Sequence, residues 1–329
     1  MKPQDVLVIG GSGTLGAVVV PKLLRTPTVG RVRVLSRGEH RQAEAAAKVA
    51  RATARCDEVD WLIGDVRDYD RVAYAMEGCE TVFNFAAVKS VDRAEYDCEE
   101  AVKTIVDGAR HVIMAAKKEG VSRCVLTTTD KACSPHNLYG AAKMCAEKLW
   151  ISEGNKGASK TRFSCMRYGN VLASQGSVLQ AWADRIDTGL PPKVTDLNHT
   201  RFFISPEAAG SFVVDRWKEM TGGEVFIPKM YSTSLGELYG AFISTRENLP
   251  ERINLEEIGP RPGEKVHEAL ISEAEAHLIT DCGEYFIRWP ENPHFPVSTR
   301  GEYGVDAYTS ETARRFLGYE LVNMMKGTK

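Results

Sequence analysis

No apolar run among the 329 residues approaches the roughly 18 that a membrane-crossing helix needs. Charge of one sign is not in excess: 42 Lys and Arg stand against 44 Asp and Glu, a formal net charge of −2. That balance gives no broad basic field for nucleic acid or an anionic membrane surface. The eight cysteines are scattered and never form a CxxC pair, so free thiols are expected rather than a disulfide frame. His267 and Glu268 are adjacent, but no second histidine follows at the spacing of a zinc helix, and no metal is expected. The chain opens MKPQDVLVIGG, with no basic-then-apolar leader ahead of its strand-forming residues, so a soluble, cytoplasmic protein is expected. Internal repeats and low-complexity tracts are missing too.

What is present is an ordinary globular balance, 43% apolar and 26% charged, in a chain long enough for a large core and a smaller companion. Short apolar runs at Val6–Ile9, Val32–Leu35, Trp61–Ile63, Val82–Phe85, Cys124–Thr127 and Phe163–Met166 read as strands. Helical spacing fills the intervals, as from Val102 to Lys118 and from Asn137 to Glu153, while the Ala- and charge-rich Glu39–Arg55 reads as a solvated helix. Near-continuous apolar strands separated by helices predict a parallel sheet covered on both faces, the doubly wound α/β class. Past residue 168 the pattern loosens, with Pro and Gly punctuation at Gly189–Pro192, Gly222–Gly223 and Gly259–Gly263 and one more strand at Val225–Ile227. The expected partition is a Rossmann-type domain over 1–168 and a smaller ligand-binding region over 169–329, interleaved with the first.

VLVIGGSGTLG sets Gly10, Gly13 and Gly16 directly after the first strand and at the opening of a helix. Glycines there allow a tight turn and let a pyrophosphate approach N–H groups at the helix's positive end. Ser12, Thr14 and Leu15 belong to the same candidate contact set. A ligand-free glycine turn is the plainer reading; the flanking strand and helix favour a nucleotide. The GxxGxxG spacing points to short-chain dehydrogenase-type folds. At the end of the second strand, NAD binders normally carry an acid for the ribose hydroxyls. Here VRVLSRGEH offers Ser36 and Arg37, with Arg41 nearby, and a hydroxyl plus a guanidinium suits a 2′-phosphate. NADP is therefore the expected cofactor. Asp65 of IGDVRD, beside Val66, is a candidate for the adenine amino group. Ala86 and Ala87 either leave room for the cofactor or simply pack.

The stretch TTTDKACSPHNLYGAAK, Thr127 to Lys143, is dense in reactive groups. Tyr139 and Lys143 are four apart and share a helix face. A nearby ammonium favours the phenolate, so Tyr139 is expected to titrate below the ordinary value of about 10 and act as a base. Thr128 and Thr129 end the preceding strand, where ligand chemistry occurs in this fold class. Asp130 and Lys131 admit two readings: a structural ion pair, or an acid and a base beyond what hydride transfer requires. Oxidising a sugar hydroxyl acidifies the neighbouring C–H; a base then removes that proton while an acid protonates a departing hydroxyl. The second reading describes a dehydration.

Together with NFAAVKSVDRAEY, MRYGNVLASQGSV, HTRFFIS, GGEVFIPKM and GPRPGEKVHEALIS, these stretches make the chain resemble the short, soluble, 5-epimerising ("inverting") UDP-N-acetylglucosamine 4,6-dehydratases used in pseudaminic acid biosynthesis. Those are extended short-chain dehydrogenase/reductases, and the resemblance runs to about Ile287. It implies hydride transfer from sugar C4 to NADP and back to C6, with Tyr139 as the C4-hydroxyl base and Thr129 and Lys143 beside it. Loss of water across C5 and C6 falls to Lys131 and Asp130, and Lys131 or a neighbour reprotonates C5 from the opposite face. It further implies a UDP-sugar grip in which Asn170 and Ser177 lie near the sugar or diphosphate, Arg201 and Arg261 near the phosphates, and Lys229 and Glu264 near the nucleotide, with Lys89 as the family's basic residue. Family members are homo-oligomers, from dimers to hexamers. Membrane-anchored retaining relatives commonly carry Met at the position of Tyr139.

Four departures stand out. Ile105 replaces an Asn that commonly supports the active site, Gln175 replaces an Arg, His199 replaces a Met, and SVD follows Lys89 in place of HVP. A UDP-sugar 4-epimerase, which shares the glycine loop and the YxxxK pair, or a retaining 4,6-dehydratase is the rival reading. A non-catalytic NADP-sensing regulator is a more remote one. His267 is expected to be structural, and Cys133 to be a small packing residue. The segment from Glu291 onward carries no functional signal.

Overall fold

The computed structural model describes residues 3–157, 160–174, 176–246, 254–293 and 302–327. The first six strands are β1 (Gln4–Ile9), β2 (Val29–Ser36), β3 (Val59–Ile63), β4 (Thr81–Asn84), β5 (Arg123–Thr129) and β6 (Arg162–Tyr168). They lie in the order β3-β2-β1-β4-β5-β6, all parallel. β1 and β4 are buried along most of their length because every residue of a doubly covered strand meets a helix layer. The chain reverses its direction of sheet growth between β1 and β4, which opens a crevice at their carboxyl ends.

The sheet continues through Val225–Pro228, parallel to β6, and then through Tyr285–Arg288, Ile279–Asp281 and Glu302–Tyr303. Those last three strands are antiparallel to their neighbours, a departure from the all-parallel expectation. The turn between Asp281 and Tyr285 is too short for a crossover, so the two strands it joins can only pair as a hairpin. Strands from both sides of residue 168 thus share one sheet.

Two helical details shape the site. The expected single helix from Val102 is three segments, Cys98–Val102, a π-helical turn over Lys103–Asp107, and Gly108–Glu119. Ile105 is buried in that π turn, a feature found mostly near functional sites. The helix Leu138–Asn155 begins at Asn137, whose side-chain oxygen accepts from the Gly140 N–H at 2.9 Å, a standard N-cap.

The main core holds Leu7, Ile9, Phe83, Trp150, Phe163 and Trp217. A separate one forms from Leu172, Trp182, Phe203, Leu238, Phe242 and Leu321, entirely beyond residue 168. Full burial of a Leu or Phe contributes roughly 1.5–3 kcal/mol, so the second cluster stabilises its own region. All eight cysteines are free thiols. Among the described residues no helix is long and apolar enough to cross a membrane.

Candidate active site

The glycine loop leaves β1 at Gly10, which has φ +78°; a Cβ there would lie 2.9 Å from the Ala86 nitrogen. That contact brings the end of β1 against the end of β4, and Asn84 fixes the other side by accepting from the Ala86 N–H at 3.1 Å. Gly13 occupies the cap position of the helix Thr14–Leu24, which has no acidic residue in its first turn. Ser12, Leu15 and Gly16 surround this opening. A positive helix end that carries no competing carboxylate suits a pyrophosphate, so the residues present fit a dinucleotide.

At the end of β2, Ser36 is buried and its hydroxyl accepts from the Gln42 amide at 3.0 Å. Gln42 also donates to the carbonyls of Ser36 and Leu62, tying β2 to β3; sequence reading gave it no role. Arg37 projects outward, with one nitrogen 3.8 Å from Asp65. Asp65 is more closely engaged by Arg67, whose guanidinium donates to it at 2.7 Å and whose backbone N–H donates at 3.0 Å. Val66 is buried against Gly108, and Ala86 and Ala87 are half-buried.

The catalytic candidates meet where β5 ends. Thr129 donates to Asp130 Oδ1 at 2.8 Å. Lys131 Nζ donates to the same oxygen at 3.0 Å and to Asn170 Oδ1 at 3.1 Å. Asp130 is fully buried, and its Oδ2 has no hydrogen-bond partner. Gly140, one turn into the following helix, is required here: a Cβ would sit 2.3 Å from the Lys131 carbonyl oxygen. Ser134, in the same loop, adopts φ +49°, a left-handed conformation uncommon outside glycine.

One electrostatic expectation is corrected. Burial pushes the Tyr139 phenol up, to about 12, and the ammonium that opposes this is Lys131, with a hydrogen bond to Thr129 helping. Lys143 does not pull the phenol down. It donates to the Thr127 carbonyl at 3.0 Å, and burial, with the charge of Lys89, lowers its amine to about 8. Lys131 goes the other way. Burial alone would lower it, but Asp130 and Glu268 outweigh that and hold the ammonium well above the lysine range.

Beneath this loop runs a buried ionic network that sequence reading missed. Thr128 donates to Glu147 Oε2 at 2.7 Å, and Arg167 Nε donates to the same oxygen at 3.2 Å. Arg167 also pairs with Glu275 and donates to the Leu270 carbonyl at 2.8 Å. Glu275 accepts from Cys133 Sγ at 3.2 Å, so Cys133 packs with a polar partner. The cue was present: Glu147 lies four residues past Lys143, on the same helix face.

The candidate substrate residues are dispersed in their engagements. Arg201 is buried, donating to Glu264 at 2.8 Å and to the carbonyls of Thr200 and Val266. Glu264 also accepts from Thr195 and from the Arg261 N–H, and buried His199 stands 3.6 Å from it. The Arg261 guanidinium is exposed and reaches Asp92 at 3.1 Å, three residues beyond the exposed Lys89. Lys229 pairs instead with Asp281 at 2.8 Å and lies over the Phe286 ring. Ser177 caps the helix Val178–Asp187 with its hydroxyl buried and without a partner. Asn170 alone of this set contacts the Asp130–Lys131 pair. His267 bonds to Thr200 Oγ1 at 2.8 Å, in keeping with a structural role. Gln175 lies outside the described residues.

Strand order, glycine loop and the Tyr139–Lys143 helix together define an extended short-chain dehydrogenase/reductase. The family model described as polysaccharide biosynthesis protein matches residues 6–289, and the chain belongs to that family. The inverting UDP-N-acetylglucosamine 4,6-dehydratase of Campylobacter jejuni is 38% identical over 311 residues, 92% of this chain and 89% of the relative. The UDP-glucose 4-epimerase of Rickettsia canadensis is 30% identical over 323 residues, 95% of this chain and 92% of the relative. Among solved structures, Pen from Bacillus thuringiensis matches with a TM-score of 0.87 at 36% identity, covering 99% of each chain.

Proposed function

We propose that this protein is an NADP-dependent UDP-N-acetylglucosamine 4,6-dehydratase that inverts C5 and forms a UDP-4-keto-6-deoxy-L-hexosamine. The observation that carries the reading is the buried Asp130–Lys131 pair, with Thr129 donating to the same Asp130 oxygen. A 4-epimerase needs only the redox pair, so the additional acid and amine favour the dehydratase. The 38% identity to an enzyme of that name supports it.

A bound NADP supplies hydride acceptance from C4 and hydride return to C6. The protein's own residues then manage the protons. Tyr139 rests as a phenol, so it accepts the C4-hydroxyl proton only while passing its own onward. Thr129, which donates to Asp130 and lies close enough to Tyr139 to favour its phenolate, provides the path to the Asp130 carboxylate. Asp130 Oδ2, which no protein donor occupies, delivers that proton to the departing C6 hydroxyl, and water leaves. Lys131 removes the C5 proton and restores one to the opposite face. Lys143, held by the Thr127 carbonyl, serves the nicotinamide ribose. Lys89, Asn170, Ser177, Arg201, Lys229, Arg261 and Glu264 form the UDP-sugar grip, with Arg261 released from Asp92 when a diphosphate arrives. The reading extends to a cytoplasmic homo-oligomer, from dimer to hexamer, without nucleic-acid or membrane partners.

Incubation with UDP-N-acetylglucosamine in D2O tests the assignment by NMR. The expected product has a C6 methyl, deuterium at C5 and inverted C5 configuration. A 4-epimer that keeps its C6 hydroxyl would falsify the reading, and retained C5 configuration would remove the inversion. NADP choice is tested separately by Arg37→Ser. A charge-assisted bond to phosphate is worth about 1.5–3 kcal/mol, so the preference for NADP over NAD should fall roughly 10- to 100-fold in titrations of both cofactors. An unchanged ratio would clear Arg37 of the role.

A further inference from the structure

A second buried carboxylate faces Lys131 from a distant part of the chain. Glu268 Oε1 lies 3.7 Å from Lys131 Nζ. The residue is 4% exposed, and its Oε2 has no hydrogen-bond partner. Its backbone is pinned in both directions by Ser310, whose hydroxyl accepts from the Glu268 N–H at 2.9 Å and whose N–H donates to the Glu268 carbonyl at 2.7 Å. A carboxylate held this firmly without a full set of hydrogen bonds is costly unless it is used.

The proton route through Tyr139 and Thr129 leaves Asp130 protonated at the moment C5 must lose its proton. Lys131, an ammonium at rest, cannot then serve as a base until it releases a proton itself. Among the described residues, the one other carboxylate within ion-pair reach of its Nζ is Glu268. We propose that Glu268 takes one proton from the Lys131 ammonium before the C5–H bond breaks and returns it once C5 is reprotonated. One N–H bond breaks and one O–H bond forms, then the reverse, and no electrons change hands. Lys131 remains the group that touches the sugar; Glu268 is a positioning residue that prepares it. This inference rests on the dehydratase reading.

The charged surroundings suit the exchange. Lys131 is faced by Asp130 and Glu268, with Arg201 opposing them and Tyr139 nearby. Glu268 is faced by Lys131 and by Lys265, whose Nζ is 3.8 Å from Oε2 while donating to the Cys133 carbonyl at 2.7 Å. His267, next in sequence, is turned away toward Thr200 and Glu311. Lys265 therefore compensates the Glu268 charge without bonding it closely.

Glu268→Gln keeps the shape and loses the titrating oxygen. The holoenzyme variant, mixed with UDP-N-acetylglucosamine, is followed by absorbance of the reduced nicotinamide and by C5 deuteration in D2O. Reduction of the nicotinamide in the first turnover should stay within about threefold of wild type, since C4 oxidation does not use Glu268. C5 exchange and product formation should fall by about 100-fold, the lower range for a lost proton-transfer partner. Reduced nicotinamide should accumulate as a result. Glu268→Asp, which still titrates but is set back from Lys131, should recover about tenfold of the loss, and it serves if the Gln variant does not fold. Wild-type C5 exchange in Glu268→Gln would overturn the inference, as would equal loss of both steps, which marks a merely structural residue. If wild-type enzyme itself forms no 6-deoxy product, the dehydratase reading fails instead.

Discussion

Lys131→Ala retains the nicotinamide dinucleotide and loses dehydration: formation of the 6-deoxy product should drop by about 100- to 10,000-fold, the range for removing a positioned proton-transfer group. The cofactor cradle explains the retention. Gly10, Gly13 and the helix Thr14–Leu24 belong to β1 and its following turn, while Lys131 follows β5 and contacts Asp130 and Asn170. Loss of the amine also leaves the buried Asp130 carboxylate with Thr129 as its remaining donor, which favours the neutral acid and disables the pair as a unit. The check is product NMR alongside equilibrium dialysis of NADP. Unchanged turnover would mean that the C5 base is some other group.

Glu147→Ala produces the largest loss of stability. The carboxylate is buried and serves Thr128 and Arg167 together, so its removal leaves the buried guanidinium with Glu275 and the Leu270 carbonyl as its remaining partners. Breaking such a pair costs about 3–5 kcal/mol, which should move the urea midpoint sharply with little change in slope. A shift worth under about 1 kcal/mol would show that Glu275 alone satisfies Arg167. The same network gives stability an acid limb. Burial would raise Glu275, yet Arg167 outweighs it and brings the carboxyl from 4.5 down to about 2. A lowered carboxylate contributes stability that is fully present above its unfolded value near 4.5 and is lost as pH falls toward 2. Unfolding in acid should therefore steepen across that window, and less so in Glu275→Gln, which lacks the titrating carboxyl.

The parallel half of the sheet was legible because each strand there centres on a short, mostly apolar run between helical periods. The antiparallel extension was not, since Ile279–Asp281 and Tyr285–Arg288 are short and mixed in character. Gly10 could be named from the glycine loop after β1, and Asp130, Lys131, Tyr139 and Lys143 as candidates along one later segment. Arg167, Glu268 and Glu275 could not, because their meaning lies in partners up to 142 residues away in sequence, as for Cys133 and Glu275. The direction of the Tyr139 shift also escaped, as burial is invisible in a helical repeat. Spacing put Lys143 beside the phenol, but three dimensions gave that amine to the Thr127 carbonyl.

The catalytic loop is closed by residues that are made late. Cys133 meets Glu275 and Lys265, and Arg167 meets Leu270 and Glu275, across separations of 103 to 142 residues. Contacts so distant in sequence form slowly, because loop closure must precede them. A nascent chain released as far as β6 already carries the glycine loop and the whole Thr127-to-Lys143 segment, yet lacks Lys265, Leu270 and Glu275, which bond to Cys133 and Arg167. Support for that segment is therefore complete only once residues 265–275 have been made and have closed back onto it.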